Sequence, residues 1–159
     1  MTDTTTITIE PWLPGDPRYD DDADIAAIAR LITELGYPTD AATQRTRLAR
    51  RMAIREAVSL DLLVARDGGE IVGLASVAAL DLDLDESDVA ELRALVVSHE
   101  RRGERIGEKL VHAAEAWARD RGARTLVLRT NVTRTDAHRF YERLGYTQTK
   151  TSRTYRIAL

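Results

Sequence analysis

An apolar stretch, Val89 to Val97, runs into a basic turn holding Gly103 and Gly107. A segment with Ile106, Leu110, Ala113, Ala114 and Trp117 at helical spacing follows at once. Strand, glycine turn and helix in this order constrain the chain more than any other feature. They place the end of a sheet strand beside the start of a helix. The first four N–H groups of a helix have no partner inside it. No Ser, Thr, Asp or Asn stands between Glu100 and Glu108 to cap them. Open main-chain N–H groups at such a turn suit a phosphate. A plain strand–helix connection that binds nothing is the other reading of the turn alone. A dinucleotide fingerprint would need three glycines after an early strand. A P-loop would need Gly-Lys-Ser/Thr. Neither is present.

With 159 residues and no repeat, a single domain spanning 1–159 is expected, large enough to bury a core. A net charge of −3 argues against a nucleic-acid partner. The absence of cysteine removes disulfides, thiolate metal sites and a Cys nucleophile. His99, His112 and His138 are scattered, so no metal site is expected. The Thr-rich stretch Met1 to Thr8 lacks the basic-then-apolar order of a signal peptide. No apolar run approaches a membrane span. A cytoplasmic protein without membrane partners is the expectation.

Alternation predicts a first strand over Ile7 to Trp12, ended by Pro14-Gly15-Asp16-Pro17. Asp20 to Asp24 reads as a solvated acidic loop with Asp24 capping the next helix. A calcium loop is the rival, but its Gly and distal Glu are missing. Ile25, Ile28, Ala29, Ile32 and Leu35 mark that helix, stopped by Gly36-Tyr37-Pro38. A second helix starts at Thr39 or Asp40, with Leu48 and Met52 inward and Ala49 and Ile54 as further candidates. Arg45, Arg47, Arg50, Arg51 and Arg55 are assigned to its outer face, an ordinary solvated surface or a surface for a partner or anionic substrate. Strands are expected at Leu60 to Arg66 and Ile71 to Leu80, joined by a hairpin turn at Asp67-Gly68-Gly69-Glu70. After the glycine-turn helix, which ends at Arg121-Gly122, come a strand at Arg124 to Thr130 and a short helix at Asp136 to Leu144. Two final strands are expected at Tyr146 to Gln148 and Ser152 to Leu159. The order predicts an α/β (α+β) fold, a mixed sheet with helices packed on it.

Two motifs together resemble the GNAT superfamily of N-acetyltransferases. The family's R-G-x-G-x-G/A turn matches Arg102 to Gly107, with Arg105 where the middle Gly is usual. Its A-x-x-F-Y-x-x-x-G-F/Y helix matches Ala137 to Tyr146. The resemblance implies a mostly antiparallel central sheet of six to seven strands flanked by about four helices. It implies acetyl-CoA as acyl donor, its pyrophosphate on the amides of Arg102, Gly103, Glu104, Arg105, Ile106, Gly107 and Glu108. The strand before the turn would splay from its neighbour at a bulge; Leu95, Val96 and Val97 there would pair with the pantetheine arm like an extra strand, and Val96 or Val97 N–H would steady the oxyanion. Asn131 would bind the arm, Ala137 and Phe140 would pack on it, and Tyr141 would protonate the departing thiolate. Glu91 is the candidate base, acting through water; a structural carboxylate is the other reading. The implied activity is direct acetyl transfer to a primary amine, a small molecule or a protein lysine or N-terminus. The acidic stretches 20–24 and 81–88 would favour a cationic acceptor such as a polyamine, an aminoglycoside or a lysine. A non-catalytic acyl-CoA-binding regulatory module and a longer acyl donor remain as alternatives. By family analogy, Tyr146 to Leu159 would serve a homodimer.

Overall fold

The computed structural model describes residues 6–55, 57–80 and 88–159. Five strands form one sheet in the order β1-β2-β3-β4-β5. They are β1 (Thr8–Pro11), β2 (Leu60–Asp67), β3 (Glu70–Leu80), β4 (Val89–Val97) and β5 (Thr125–Leu128). All pairings are antiparallel except β4 with β5. The described residues also form four α-helices: α1 (Asp21–Glu34), α2 (Ala41–Ile54), α3 (Ile106–Asp120) and α4 (Thr135–Arg143). The two final strands expected at Tyr146 to Gln148 and Ser152 to Leu159 do not form: the described residues 146–159 join no ladder, and Tyr155, Ile157 and Leu159 stand exposed. A strand needs a partner for its N–H and C=O groups. Among the described residues the sheet therefore has five strands rather than six to seven. The described residues group into one compact unit running to Arg129 and a second, Thr130–Leu159.

In the first unit, side chains alternate between the two faces of the sheet. Leu62, Val64, Leu74 and Val96 meet Ile25, Ile28 and Leu31 of α1 and Leu48 of α2 in one apolar core. On the opposite face α3 buries Ile106, Leu110, Val111, Ala114 and Trp117. Gly73 on β3 lets α3 seat closely. A Cβ there would lie 3.1 Å from Leu110 Cδ1 and 3.2 Å from the Val96 carbonyl oxygen. The β2–β3 hairpin closes on Gly68 and Gly69 between paired Asp67 and Glu70, with Gly68 at φ +61°.

Helix boundaries follow their caps. Asp40 accepts the Thr43 N–H at 2.7 Å and starts α2. Asp20, not Asp24, caps α1, accepting from the Asp22 N–H at 2.9 Å. Asp24 lies one turn inside and is buried. It accepts from Trp12 Nε1 at 2.9 Å and from the Arg66 guanidinium at 2.8 and 2.6 Å. Arg66 is 1 % exposed, also donates to Glu10 at 3.0 Å, and lies over the Tyr19 ring at 3.5 Å. The rest of the acidic run is occupied as well. Asp21 accepts from Gly15 N–H and Asp22 pairs with Arg45. A second buried carboxylate, Asp61 on β2, accepts from Trp117 Nε1 at 2.7 Å and Arg121 at 2.9 Å. Arg55 Nε lies 2.6 Å from its other oxygen as an ion pair, without hydrogen-bond alignment.

Removing one partner of a buried pair strands the other charge at a cost of about 3–5 kcal/mol. Asp24→Ala is therefore expected to lower unfolding free energy by about that much. Asp24→Leu with Arg66→Met should cost far less. Urea melts of the two variants check the difference.

Candidate active site

The site forms where β4 parts from its neighbour. Val89 to Leu92 pair with Thr125 to Leu128 of β5. The β3 ladder runs from Ala94 at Ser76 to Leu92 at Val77, so Arg93 is an extra residue. Such a bulge raises local twist and disturbs the pairing. Beyond Leu92, β4 continues to Val97 bonded to β3 alone among the described residues. Leu95 and Val97 are half-buried there and Val96 is buried. The edge of β4 facing away from β3 is thus open to an extended ligand.

The strand then enters the turn. Ser98 N–H continues the ladder onto the Val72 carbonyl at 2.8 Å. One 3-10 turn follows at His99–Arg101. Glu34 at the end of α1 accepts the His99 N–H at 2.9 Å and pairs with Arg102 at 3.7 Å. Arg101 grips Glu104 through two bonds of 2.8 Å and also pairs with Asp67 on the hairpin. Arg101 is therefore committed to the protein's own carboxylates. Gly103 lies at φ +88° and Arg105 at φ +59°, both left-handed. This explains why a glycine suits position 105, since a side chain there costs about 1–2 kcal/mol. Arg105 is the residue before α3, and no side chain caps the helix. The first turn bond is Lys109 N–H to the Arg105 carbonyl at 3.1 Å, so the amides of Ile106, Gly107 and Glu108 have no acceptor within the helix. Arg105 itself takes no ion-pair partner among the described residues. Open amides, a helix N-terminus and an unpaired cation fit a diphosphate.

Glu91 lies on β4 before the bulge, mostly buried and paired with Arg129. Arg93 is a second, looser partner at 3.9 Å. The remaining expected residues belong to the second unit. Asn131 accepts from Thr133 N–H and Oγ1 at 3.0 Å, turning the chain into α4. Its carbonyl meets His138 Nε2 at 3.0 Å. Ala137, Phe140, Tyr141 and Leu144 form the half-buried stripe of α4 as their spacing predicts. Tyr141 stacks edge-on against Phe140 at 5.1 Å and Tyr146 at 5.8 Å. Burial pushes its phenol above the usual value, and the nearby Arg134 charge opposes this only in part. The acidic loop at 81–87 lies outside the described residues. Sequence reasoning missed the bracing by Glu34 and Asp67, which are remote in sequence and carry no local signal.

The model of the acetyltransferase (GNAT) family matches residues 23–146. The chain belongs to this family. Acetyl-CoA is the standard acyl donor of GNAT acetyltransferases, and the open strand edge and uncapped turn suit it. The aminoalkylphosphonate N-acetyltransferase of Salmonella typhimurium is 42 % identical over 86 residues, which cover 54 % of this chain and 55 % of that one. The chain thus matches about half the length of that relative. The aminoglycoside N(6')-acetyltransferase type 1 of Stenotrophomonas maltophilia is 33 % identical over 141 residues, covering 86 % of this chain and 89 % of that one. Among solved structures, AAC(6')-Iy bound to the bisubstrate analogue CoA-S-monomethyl-acetylneamine superposes with a TM-score of 0.75. It is 20 % identical, with 97 % of this chain and 99 % of that one covered. No helix among the described residues is long and apolar enough to cross a membrane.

Relief of the strained conformation should offset the backbone freedom that glycine adds to the unfolded chain. Arg105→Gly is expected to be neutral or to stabilise the GNAT domain by up to about 1 kcal/mol. The same change inside α3, at Glu108, should cost about 1 kcal/mol. Urea midpoints of the two variants test the assignment.

Proposed function

We propose that this chain is an acetyl-CoA-dependent N-acetyltransferase that moves acetyl directly onto a primary amine, of a small molecule or of a protein lysine or N-terminus. The observation that carries this is the continuity of the open β4 edge with the uncapped start of α3. In this reading residues 1–159 act as one domain, which the family match across both compact units supports. The protein works in the cytoplasm, without nucleic acid or membrane, and can pair as a homodimer. The printed names of two relatives, an aminoalkylphosphonate and an aminoglycoside acetyltransferase, support a small-molecule amine.

Acetyl-CoA would supply an acyl group activated by its bond to sulfur. The amides of Ile106, Gly107 and Glu108 with Arg105 would hold its diphosphate. The open edge from Leu95 to Val97 would align its arm by main-chain bonds, and an N–H of Val96 or Val97 would steady charge on the carbonyl oxygen. Asn131, Ala137 and Phe140 would contact the arm. Glu91, fixed by Arg129, would take the amine's proton through water. Tyr141 would give its proton to sulfur. Burial favours the neutral phenol, the form a proton donor needs.

The Glu91–Arg129 pair also favours a second reading, a non-catalytic acyl-CoA-binding regulatory module, because it occupies the carboxylate a base would use. A screen of amines with acetyl-CoA, read by free thiol, separates the two. Coenzyme A at 100 times its Kd is expected to stabilise the protein by about 2.7 kcal/mol under either reading. Only the enzyme releases thiol. Tyr141→Phe should cut turnover by about 10²–10⁴ while leaving that stabilisation intact. The raised phenol loses its proton only at alkaline pH, so the alkaline fall in rate attributable to it should begin above about pH 10. A variant retaining full rate would remove Tyr141 from the mechanism.

A further inference from the structure

The arginines of α2 do not all face solvent. Gln44 and Leu48 are buried, and Arg51 and Arg55 continue their stripe at helical spacing, both half-buried. Arg45, Arg47 and Arg50 are the exposed ones. Arg55 has a carboxylate, Asp61. Arg51 does not, among the described residues. Its terminal nitrogen donates to the Asp61 carbonyl at 2.6 Å, and its buried Nε has no partner. The Asp61 carboxylate is already occupied by Trp117, Arg121 and Arg55. Burial disfavours the Arg51 cation, and the charge of Arg93 disfavours it further, while the Asp61 charge opposes both only in part. A half-buried guanidinium short of acceptors is costly to keep.

The second cation is the bulge residue. Arg93 is exposed, and among the described residues it pairs only with Glu91 at 3.9 Å, a carboxylate already held by Arg129. Asp61 pairs with Val77, and Val77 pairs with Leu92 beside the bulge. Two strand spacings of about 4.8 Å separate the anchor of Arg51 from that of Arg93. Long side chains can span such a gap, which would let one anion touch both guanidiniums. Guanidinium forks match the oxygens of phosphonate, phosphate and carboxylate.

We propose that Arg51 and Arg93 form an oxyanion-binding pair beside the β4 bulge, and that the acceptor is a small primary amine carrying a phosphonate, phosphate or carboxylate. This rests on the acetyl-transfer reading. It departs from the cationic acceptor suggested by the acidic runs, since the carboxylates of 20, 21, 22 and 24 are spent on a cap, a loop N–H, Arg45 and Arg66. The anion would sit on the two arginines while its amine reaches toward Glu91 and the opening of β4.

The test uses the full chain saturated with coenzyme A, so that the diphosphate turn is filled. Methylphosphonate, which has no amine, is titrated by calorimetry into the wild type, Arg51→Gln and Arg93→Gln. Binding weakened at least tenfold in each variant is expected. Arg93 is exposed, so its variant stays informative if Arg51→Gln folds poorly. Equal binding in wild type and Arg93→Gln, or none in the wild type, overturns the site. Turnover is then compared for 2-aminoethylphosphonate, β-alanine, ethanolamine and spermidine. The anionic amines should exceed ethanolamine at least a hundredfold in kcat/KM, and Arg93→Gln should raise their KM at least tenfold. A preference for ethanolamine or spermidine overturns the inference but leaves acetyl transfer standing. If no amine triggers thiol release from acetyl-CoA while coenzyme A still binds, the transfer reading falls; the methylphosphonate titration then judges the anion site alone.

Discussion

β4 keeps its β5 partner only to Leu92, and the next residue, Arg93, is the one β3 skips. Two neighbouring strands therefore share main-chain bonds at one end and not at the other. The N–H and C=O groups of the parted segment demand partners, because unmet main-chain polar groups are costly away from water. A ligand lying along that edge is led by the strand itself to the turn at Arg102 and the bare start of α3. The strand supplies direction and the helix supplies positive partial charge. Neither would suffice alone: an open edge accepts any extended chain, and a bare helix start accepts any small anion.

β2 is what holds this arrangement in place. Near one end, buried Arg66 ties it to α1 through Asp24. At the other, buried Asp61 ties it to the last turn of α3 through Trp117 and Arg121. α1 and α3 lie on opposite faces of the sheet, so the two ionic anchors clamp the layers from opposite ends of a single strand. The glycine turn is clamped in the same way, by Glu34 from α1 and by Arg101 reaching Asp67 on the hairpin.

Features governed by nearest neighbours were legible in the residues alone. The uncapped start of α3, the glycine stop after it, the two-glycine hairpin and the apolar stripe of α4 all appear where local chemistry places them. Features governed by distant partners were not. Asp24 has the composition of a cap, yet a buried arginine 42 residues away claims it. Arg51 sits among four other arginines and reads as solvated, but its register matches Gln44 and Leu48. The tail at Tyr155, Ile157 and Leu159 alternates like a strand, and alternation cannot supply a neighbour. The family resemblance implies a bulge in this strand, but its place at Arg93 left no mark in the residues, because an extra residue in a ladder is defined only by the strand opposite.

Gly73 carries a consequence for the donor. With no side chain beneath them, Ile106 and Leu110 settle directly onto β3, a strand away from Val96. That seating fixes the height of the helix start above the β4 opening. Coenzyme A is a tether of set length between diphosphate and sulfur. With the diphosphate held at that helix start as proposed, the depth of the seat would act as a gauge: it would decide whether the sulfur end falls short of the gap between strands, reaches it, or runs past it.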